Sequence, residues 1–306
     1  MDRDRLRGLR SRGFRVLLPV LVQTLGRLPY AVLARLGVAL GALLLVTNRR
    51  ERERSLVHLE LAFPEASPAE LRALRRGCFV NAALNALEAF QLLARGHRVF
   101  DRRLQIEGWE NVEREREKGH RLLVLSCHSG FWEILGIATA RHGIRLFGIG
   151  RRPDDEVFAE LVSRVRTAVQ GYSIERGTVE GRRRLRRVLK GEGALVIFID
   201  QDTRVEGTWV PFFGRPAFTP VGAARMALGH GMRVVPAFVE RRPGGQHLAR
   251  FLPALELPDD VTAATAAMTA VIEAQVRRVP EQWVWWHRRW RRQPGDAATP
   301  AAGSEL

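Results

Sequence analysis

Apolar and polar positions follow different patterns in the first fifty residues and in the rest of this chain. The region 14–46 is apolar but is interrupted by prolines, a glycine and arginines, and its longest clean stretch is 36–46. That stretch is shorter than the roughly 20 residues that span a bilayer. We therefore predict two helices that lie in the membrane interface. A pair of ordinary core helices and a single tilted spanning helix are the alternatives.

The next part, 51–100, has a helical pattern, and its Ser67-Pro68-Ala69-Glu70 is typical of a capped helix start. From residue 104 onward, short apolar runs alternate with helical segments. The predicted strands are 122–126, 144–149, 194–199 and 234–239. The predicted helices are 131–142, 154–170, 179–191, 219–230 and 259–279. This alternation predicts an α/β fold, with a mixed, largely parallel sheet flanked by helices.

Three parts follow from these patterns. Residues 1–50 form a basic and apolar membrane-associated helical region. Residues 51–293 form the α/β domain. Residues 294–306, rich in alanine, proline and glycine, form a disordered tail.

The charge of the chain is strongly positive, at +16, and all but two of its 49 basic residues are arginines. A GC-rich genome is one explanation of such an excess. Zinc-finger spacing and the basic–aromatic motif of RNA-binding sheets are both missing, so nucleic acid is not the expected partner. A membrane surface or an anionic lipid fits better, because guanidinium groups bind phosphates through two parallel hydrogen bonds. The arginine clusters at 3–15 and 49–54 would then face the cytoplasm.

A histidine and a carboxylate follow directly after the apolar run 122–125, as His128 and Glu133. A strand that ends in a turn and opens into a helix holds an imidazole at the edge of the sheet. An acid in the first helical turn can reach back to that ring. The pair predicts a general base with its orienting partner, suited to acyl transfer to a hydroxyl. A strand-end histidine and a glutamate favoured by the helix dipole are the alternative.

The residue before that histidine, Cys127, is not expected to act as a nucleophile. Adjacent residues on a strand point to opposite faces of the sheet, so its thiol and the imidazole would diverge. The chain has only one other cysteine, Cys78, and the two do not suggest a disulfide framework or a metal cluster.

Charged residues also follow other predicted strands. Arg152 follows the run 144–149, and Arg164 and Arg166 lie on the next predicted helix, where one of the two is expected on a solvated face. Ligands bind at such strand exits in α/β proteins, and arginines there could hold phosphates. Asp200 and Asp202 follow the run 194–199. Two carboxylates could bind a metal, but with no third acid nearby we expect them to hold an arginine or the substrate.

Two aromatic segments complete the pattern. Residues 209–214 (Trp-Val-Pro-Phe-Phe-Gly) are expected either to pack or to line an acyl-chain pocket. Residues 280–290 hold four of the seven tryptophans beside arginines. That composition suits a membrane interface, single-stranded nucleic acid or plain packing on the sheet. The proline in the run 234–239 places that strand at an edge or a bulge.

Taken in order, these motifs resemble those of the lipid A late acyltransferases, of the lauroyl and myristoyl transferase type, within the lysophospholipid acyltransferase superfamily. The resemblance covers about residues 15–293. It is carried by His-x4-Glu, Arg-Pro, Asp-Gln-Asp, Val-Pro-Phe-Phe-Gly, Val-Pro and Pro-Glu-Gln-Trp-x-Trp-x-His-Arg-Arg. The chain departs from the family at Phe131, where an asparagine is common.

The resemblance implies an enzyme on the cytoplasmic face of a bacterial inner membrane. It would move a fatty acyl chain from acyl carrier protein to a hydroxyl of a lipid A precursor, without a metal or organic cofactor. His128 would be the base and Glu133 its partner. The residues implied in substrate binding or support of the site are Arg152, Arg164, Asp200 and Asp202. Another glycolipid, such as a phosphatidylinositol mannoside, or a lysophospholipid is the alternative acceptor. A basic membrane or nucleic-acid binder without catalysis is the alternative class.

Overall fold

The computed structural model describes residues 17–295, so the basic residues before 17 and most of the expected tail lie outside the described residues. The chain begins with helices: α1 at 17–25, α2 (Tyr30–Thr47), α3 (Arg49–Ala62) and α4 (Pro68–Arg95). The predicted start of α4 is confirmed. The hydroxyl of Ser67 accepts a hydrogen bond from the Glu70 N–H at 3.3 Å, and the Glu70 carboxylate accepts one from the Ser67 N–H at 2.7 Å.

The rest of the described chain alternates strands and helices, which confirms the α/β class. The strands are β1 (Leu104–Glu107), β2 (Leu122–Ser126), β3 (Leu146–Gly150), β4 (Gly171–Glu175), β5 (Ala194–Phe198), β6 (Gly207–Phe212), β7 (Arg215–Pro220), β8 (Arg233–Arg241) and β9 (His247–Phe251). The helices are α5 (Trp109–Glu117), α6 (Leu135–Ala140), α7 (Glu156–Ala168), α8 (Val179–Leu189), α9 (Gly222–His230) and α10 (Val261–Arg278).

Seven strands form one sheet in the order β1-β9-β8-β2-β5-β3-β4. Its central strands are parallel, and only the β8–β9 pairing is antiparallel. All five residues of β2 are buried, because Leu123 and Leu125 enter the core on one face of the sheet while Leu122 and Val124 enter the core on the other. Burial on both faces explains why the central strands are continuous apolar runs.

One local prediction needs correction, and one pair of alternatives is decided. The proline in the run 234–239 predicts a strand at an edge or a bulge, but β8 lies inside the sheet between β9 and β2. Pro236 is tolerated there because the β9 ladder covers only Ala237–Arg241 of β8, so the missing N–H falls outside it. The apolar segment 209–214 is mostly the first strand of the β6–β7 hairpin. Phe212 and Phe213 are buried in the core, so packing is the confirmed alternative.

Within residues 17–295, two helices are long and apolar enough to cross a membrane by length and composition alone, α2 and α4. The 18 residues of α2 span about 27 Å. It packs on α4 through Leu33, Gly37 and Gly41 and leaves most of its other apolar side chains exposed. Half of the apolar window of α4 is buried within the protein. Helix α2 is therefore a weak candidate for membrane contact. Helix α4 is also a core helix of the protein.

A buried ion-pair cluster fastens α4 to the sheet. Glu88 of α4 is fully buried and accepts hydrogen bonds from Arg103 and Arg241. His247, also fully buried, lies 2.9 Å from the same carboxylate. Since a buried charge without partners is costly, the two arginines and the histidine make the position of α4 on β8 and β9 specific.

We expect Glu88→Ala to lower the free energy of unfolding by about 3–5 kcal/mol, because it leaves buried arginines without their counter-ion. Denaturant unfolding in detergent measures this. Glu53→Ala, which removes the exposed partner of Arg49, is the control and should change stability little. Equal, small effects of both substitutions would contradict the structural importance of the cluster.

Candidate active site

His128 and Asp200 meet at the carboxyl end of the parallel sheet. His128 lies two residues after β2 ends and Asp200 two residues after β5 ends, and these strands are neighbours. The imidazole Nδ1 and the carboxylate Oδ1 are 2.8 Å apart. The histidine side chain is 25% exposed while the aspartate side chain is fully buried. The imidazole is therefore partly accessible to solvent, and its Nδ1 is held by a buried acid.

The Asp200 carboxylate is held by three donors from two segments, the His128 turn and the C-terminal segment. Its Oδ2 accepts hydrogen bonds from the His128 backbone N–H and from the Trp283 indole N–H, both at 2.8 Å. Burial by itself would raise the pKa of Asp200. The positive charge and hydrogen bonds of His128, together with the indole, outweigh burial and lower that pKa to about 2.

The state of the imidazole follows from the state of the acid. An ionised carboxylate only accepts hydrogen bonds, so Nδ1 of His128 carries the proton that faces Asp200. In the neutral ring, Nε2 is then the basic nitrogen. The ring is flanked by Trp132, at 5.1 Å between centroids, and by Phe198, at 4.7 Å. This is the geometry of a general base with a fixed tautomer.

The turn that carries the histidine is held from several sides. Gly130 adopts φ +61°, and a Cβ there would lie 2.3 Å from the carbonyl oxygen of Val239. Its N–H donates to the Gln282 carbonyl and its own carbonyl accepts from Asn85 at 2.7 Å. The turn is therefore wedged between β8, α4 and the C-terminal segment.

Glu133 does not hold the imidazole Nδ1 as predicted, because Asp200 occupies that position. Its carboxylate lies 3.6 Å from the Arg166 guanidinium, and Arg166 also donates to the Ser173 hydroxyl at 2.9 Å. Sequence reasoning named Arg166 beside Arg164 without giving it a role in the site, and it did not single out Trp283 among the tryptophans. Arg166 lies two residues from Arg164 in the same helix, so the two side chains face different ways, and the sequence does not say which one faces the site.

The other predicted site residues lie in two settings. Arg152 and Arg164 are exposed, and Arg152 pairs with Glu156 at 2.7 Å. Asp202 is buried, and its Oδ1 lies 2.9 Å from Arg291 and 3.4 Å from Arg292. Asp202 thus holds arginines, whereas Asp200 holds the imidazole of His128 and the indole of Trp283.

The tryptophan-rich C-terminal segment packs inside the protein. Trp283, Trp285 and Trp290 are at most 8% exposed, and Arg289 is fully buried. Packing is thus the confirmed interpretation for these three tryptophans. Burial lowers the pKa of Arg289 to about 10, partly offset by the charges of Asp200 and Asp202.

The neighbouring thiol has no place in this chemistry. Cys127 is buried, and burial followed by the charge of Asp200 raises the pKa of its thiol well above the ordinary value. A protonated thiol is a poor nucleophile.

A groove and a wider cavity lie beside the imidazole. The groove, with a volume of about 40 Å³, is lined by Trp132 and Phe198, the rings that flank His128, and by apolar residues of β3, β5 and α6, with Glu133 and Arg166 also in its wall. The cavity, of about 280 Å³, shares Arg166 and Tyr172 with the groove and is polar. An apolar slot next to an accessible imidazole suits a substrate with a hydrocarbon chain.

Comparisons with known proteins agree with this chemistry. Residues 5–292 match the model of the bacterial lipid A biosynthesis acyltransferase family. The chain is 27% identical to the lipid A biosynthesis lauroyltransferase of Escherichia coli over 277 residues and to its palmitoleoyltransferase over 286 residues, with 88% of each chain covered. It is 24% identical to the phosphatidylinositol mannoside acyltransferase of Mycobacterium tuberculosis over 210 residues, 66% of each chain.

The fold and the site thus define an acyl-group transferase. The chain belongs to the bacterial lipid A biosynthesis acyltransferase family. The resemblance inferred from the motifs is confirmed.

The paired aspartate predicts a pH dependence of stability. Its folded pKa of about 2 lies below the ordinary 3.8, so Asp200 stabilises the fold above pH 4 and this contribution is lost as the pH falls from about 4 to about 2. We expect the difference in unfolding free energy between the wild type and Asp200→Asn to shrink by about 2 kcal/mol across that window. Unfolding at a series of pH values measures it. The exposed Asp259→Asn should show no such change.

Proposed function

We propose that this enzyme transfers a fatty acyl chain from acyl carrier protein to a hydroxyl of a lipid A precursor, with His128 as the general base. The observation that carries the proposal is the 2.8 Å contact between Nδ1 of His128 and a buried, ionised Asp200 beside an apolar groove. The family match and the lipid A enzymes among the relatives support the acceptor class.

The chemical step needs one base and one carbonyl. Nε2 of His128 takes the proton of the acceptor hydroxyl as its oxygen attacks the thioester carbonyl carbon. The carbon–sulfur bond breaks, and the imidazolium returns the proton to the departing thiolate. The products are an ester and a free thiol, and Asp200 stabilises the imidazolium during the step.

The proposed role of Glu133 is to position Arg166. The guanidinium is part of the groove wall, and the carboxylate 3.6 Å away restricts its orientation. A cation there is suited to hold the acyl donor near the base or to stabilise negative charge on the carbonyl oxygen. Arg152, exposed after the end of β3, and Arg164, exposed on α7, are proposed to bind phosphates of the substrates.

The proposed location is the cytoplasmic face of the bacterial inner membrane, with α2 in contact with lipid. Its exposed apolar side chains and the arginines that begin α3 support this orientation.

A second acceptor is favoured by one observation, the similarity to a phosphatidylinositol mannoside acyltransferase. Purified enzyme offered lauroyl acyl carrier protein with a lipid A precursor, a phosphatidylinositol mannoside or a lysophospholipid distinguishes these by mass spectrometry. Transfer to the mannoside alone would overturn the lipid A proposal.

We expect His128→Ala to lower kcat/KM for acyl transfer on the order of 10³-fold, because general-base catalysis of this kind contributes about 10²–10⁴-fold. Initial rates of ester formation measure it. The exposed His230→Ala is the matched control and should keep full activity. Full activity in a folded His128→Ala enzyme would contradict the mechanism.

The two acids should behave differently on substitution. Asp200→Asn should lower kcat, since it releases the tautomer of His128, whereas Glu133→Gln should mainly raise KM for the acyl donor. Arg166→Ala should have the same effect as Glu133→Gln. The double variant Glu133→Gln/Arg166→Ala should be little worse than either single variant, because each single substitution already removes the interaction between the two residues. Additive losses in the double variant would contradict the coupling of Glu133 to Arg166.

A further inference from the structure

Gly148 lies in the middle of β3, where a glycine normally weakens a strand. Its backbone is not left-handed, so no turn requires it. A Cβ built there would meet Val196 Cγ1 at 3.6 Å and the Tyr172 carbonyl oxygen at 3.9 Å, which are ordinary contacts. The fold therefore tolerates a side chain that the sequence omits. Gly136 differs, because a Cβ there would lie 2.6 Å from the Val169 carbonyl oxygen.

The missing side chain would point into the groove beside the catalytic histidine. Both Gly148 and Val196, whose Cα atoms are partners across β3 and β5, line it. Phe198 lines the groove at the exit of β5 and touches the His128 ring, at 4.7 Å between centroids. The groove thus runs from the base along the face of the sheet past residue 148.

The far end of the groove is closed by packed backbone. Leu146, which is paired with Ala194 of β5, lines this end together with Gly136 and Val169. Gly136 packs directly against the backbone of Val169. Phe198 and Ala194 are four positions apart in the sequence, which corresponds to about 13 Å along the strand. The side chains on the way are apolar, except for Glu133 and Arg166 in the wall. A slot with a reactive end, apolar walls and a closed end limits the length of what it binds.

We propose that the acyl chain of the donor lies in this groove and that Gly148 determines which chain lengths fit. The chain enters between Trp132 and Phe198 with its carbonyl carbon at His128, and its methyl end passes residue 148 toward Leu146. The inference rests on the proposed function. A side chain at 148 fills the space that the distal methylenes occupy, so it excludes long chains and leaves short ones.

The size of the effect follows from burial of methylene groups. Each methylene that loses its buried position costs about fourfold in kcat/KM. Gly148→Ala should therefore lower kcat/KM for the longest accepted donor by about fourfold or more. Gly148→Leu should do so by at least tenfold. The shortest accepted donor should be little affected by either substitution.

The experiment measures kcat/KM of the full-length enzyme for decanoyl, lauroyl, myristoyl and palmitoyl acyl carrier protein with one acceptor. Gly148→Ala and Gly148→Leu are compared with Gly229→Ala and Gly229→Leu, at an exposed helical glycine where a Cβ meets nothing within 4 Å. A shift of the preferred donor toward shorter chains only in the Gly148 variants is the expected result. Leu146→Ala should shift the preference toward longer chains.

The outcomes separate this inference from the proposed function. An unchanged chain-length profile in the Gly148 variants, or an equal loss for all donors, overturns the inference while acyl transfer by the wild type stands. No transfer by the wild type from any donor overturns the proposed function itself. Circular dichroism of each variant shows that the comparison is made between folded proteins.

Discussion

One buried carboxylate holds the candidate site together. Asp200 binds the ring of His128, the backbone N–H of the same residue and the indole of Trp283. Both of its oxygens are used, which is what a buried charge requires if it is not to destabilise the protein. The end of β2, the end of β5 and the C-terminal segment are joined at this single group. The orientation of the base and the packing of the tryptophan segment therefore depend on the same interaction.

The same constraint explains part of the unusual charge of the chain. Glu88 is matched by Arg103 and Arg241, and Asp202 is matched by Arg291 and Arg292. These guanidinium groups are structural, since their forked geometry satisfies a buried acid with directed hydrogen bonds. A net charge of +16 thus does not measure the charge available for ligands. It combines internal counter-ions with the exposed arginines at the strand exits.

In the proposed mechanism the sheet also separates the chemical step from binding of the acyl chain. The polar groups His128 and Asp200 stand at its carboxyl edge, while the groove continues along one face between β3, β5 and α6. With the proposed base at this edge and the apolar groove beside it, one molecule can present a reactive carbonyl and bury its hydrocarbon tail. Arg166 connects the two regions, because it pairs with Glu133 and contributes to the walls of both groove and cavity.

The sequence by itself determined the fold class, the strands β2, β3, β5 and β8, the capped start of α4 and the histidine at a strand exit. These are local features, governed by apolar periodicity and capping. It did not determine the partner of that histidine. Glu133 is near in the chain, but the helix directs it to Arg166, while Asp200, 72 residues away, reaches the ring because β2 and β5 are neighbours. Strand order arises from packing across the whole sheet, so only the tertiary structure decided which acid holds the base.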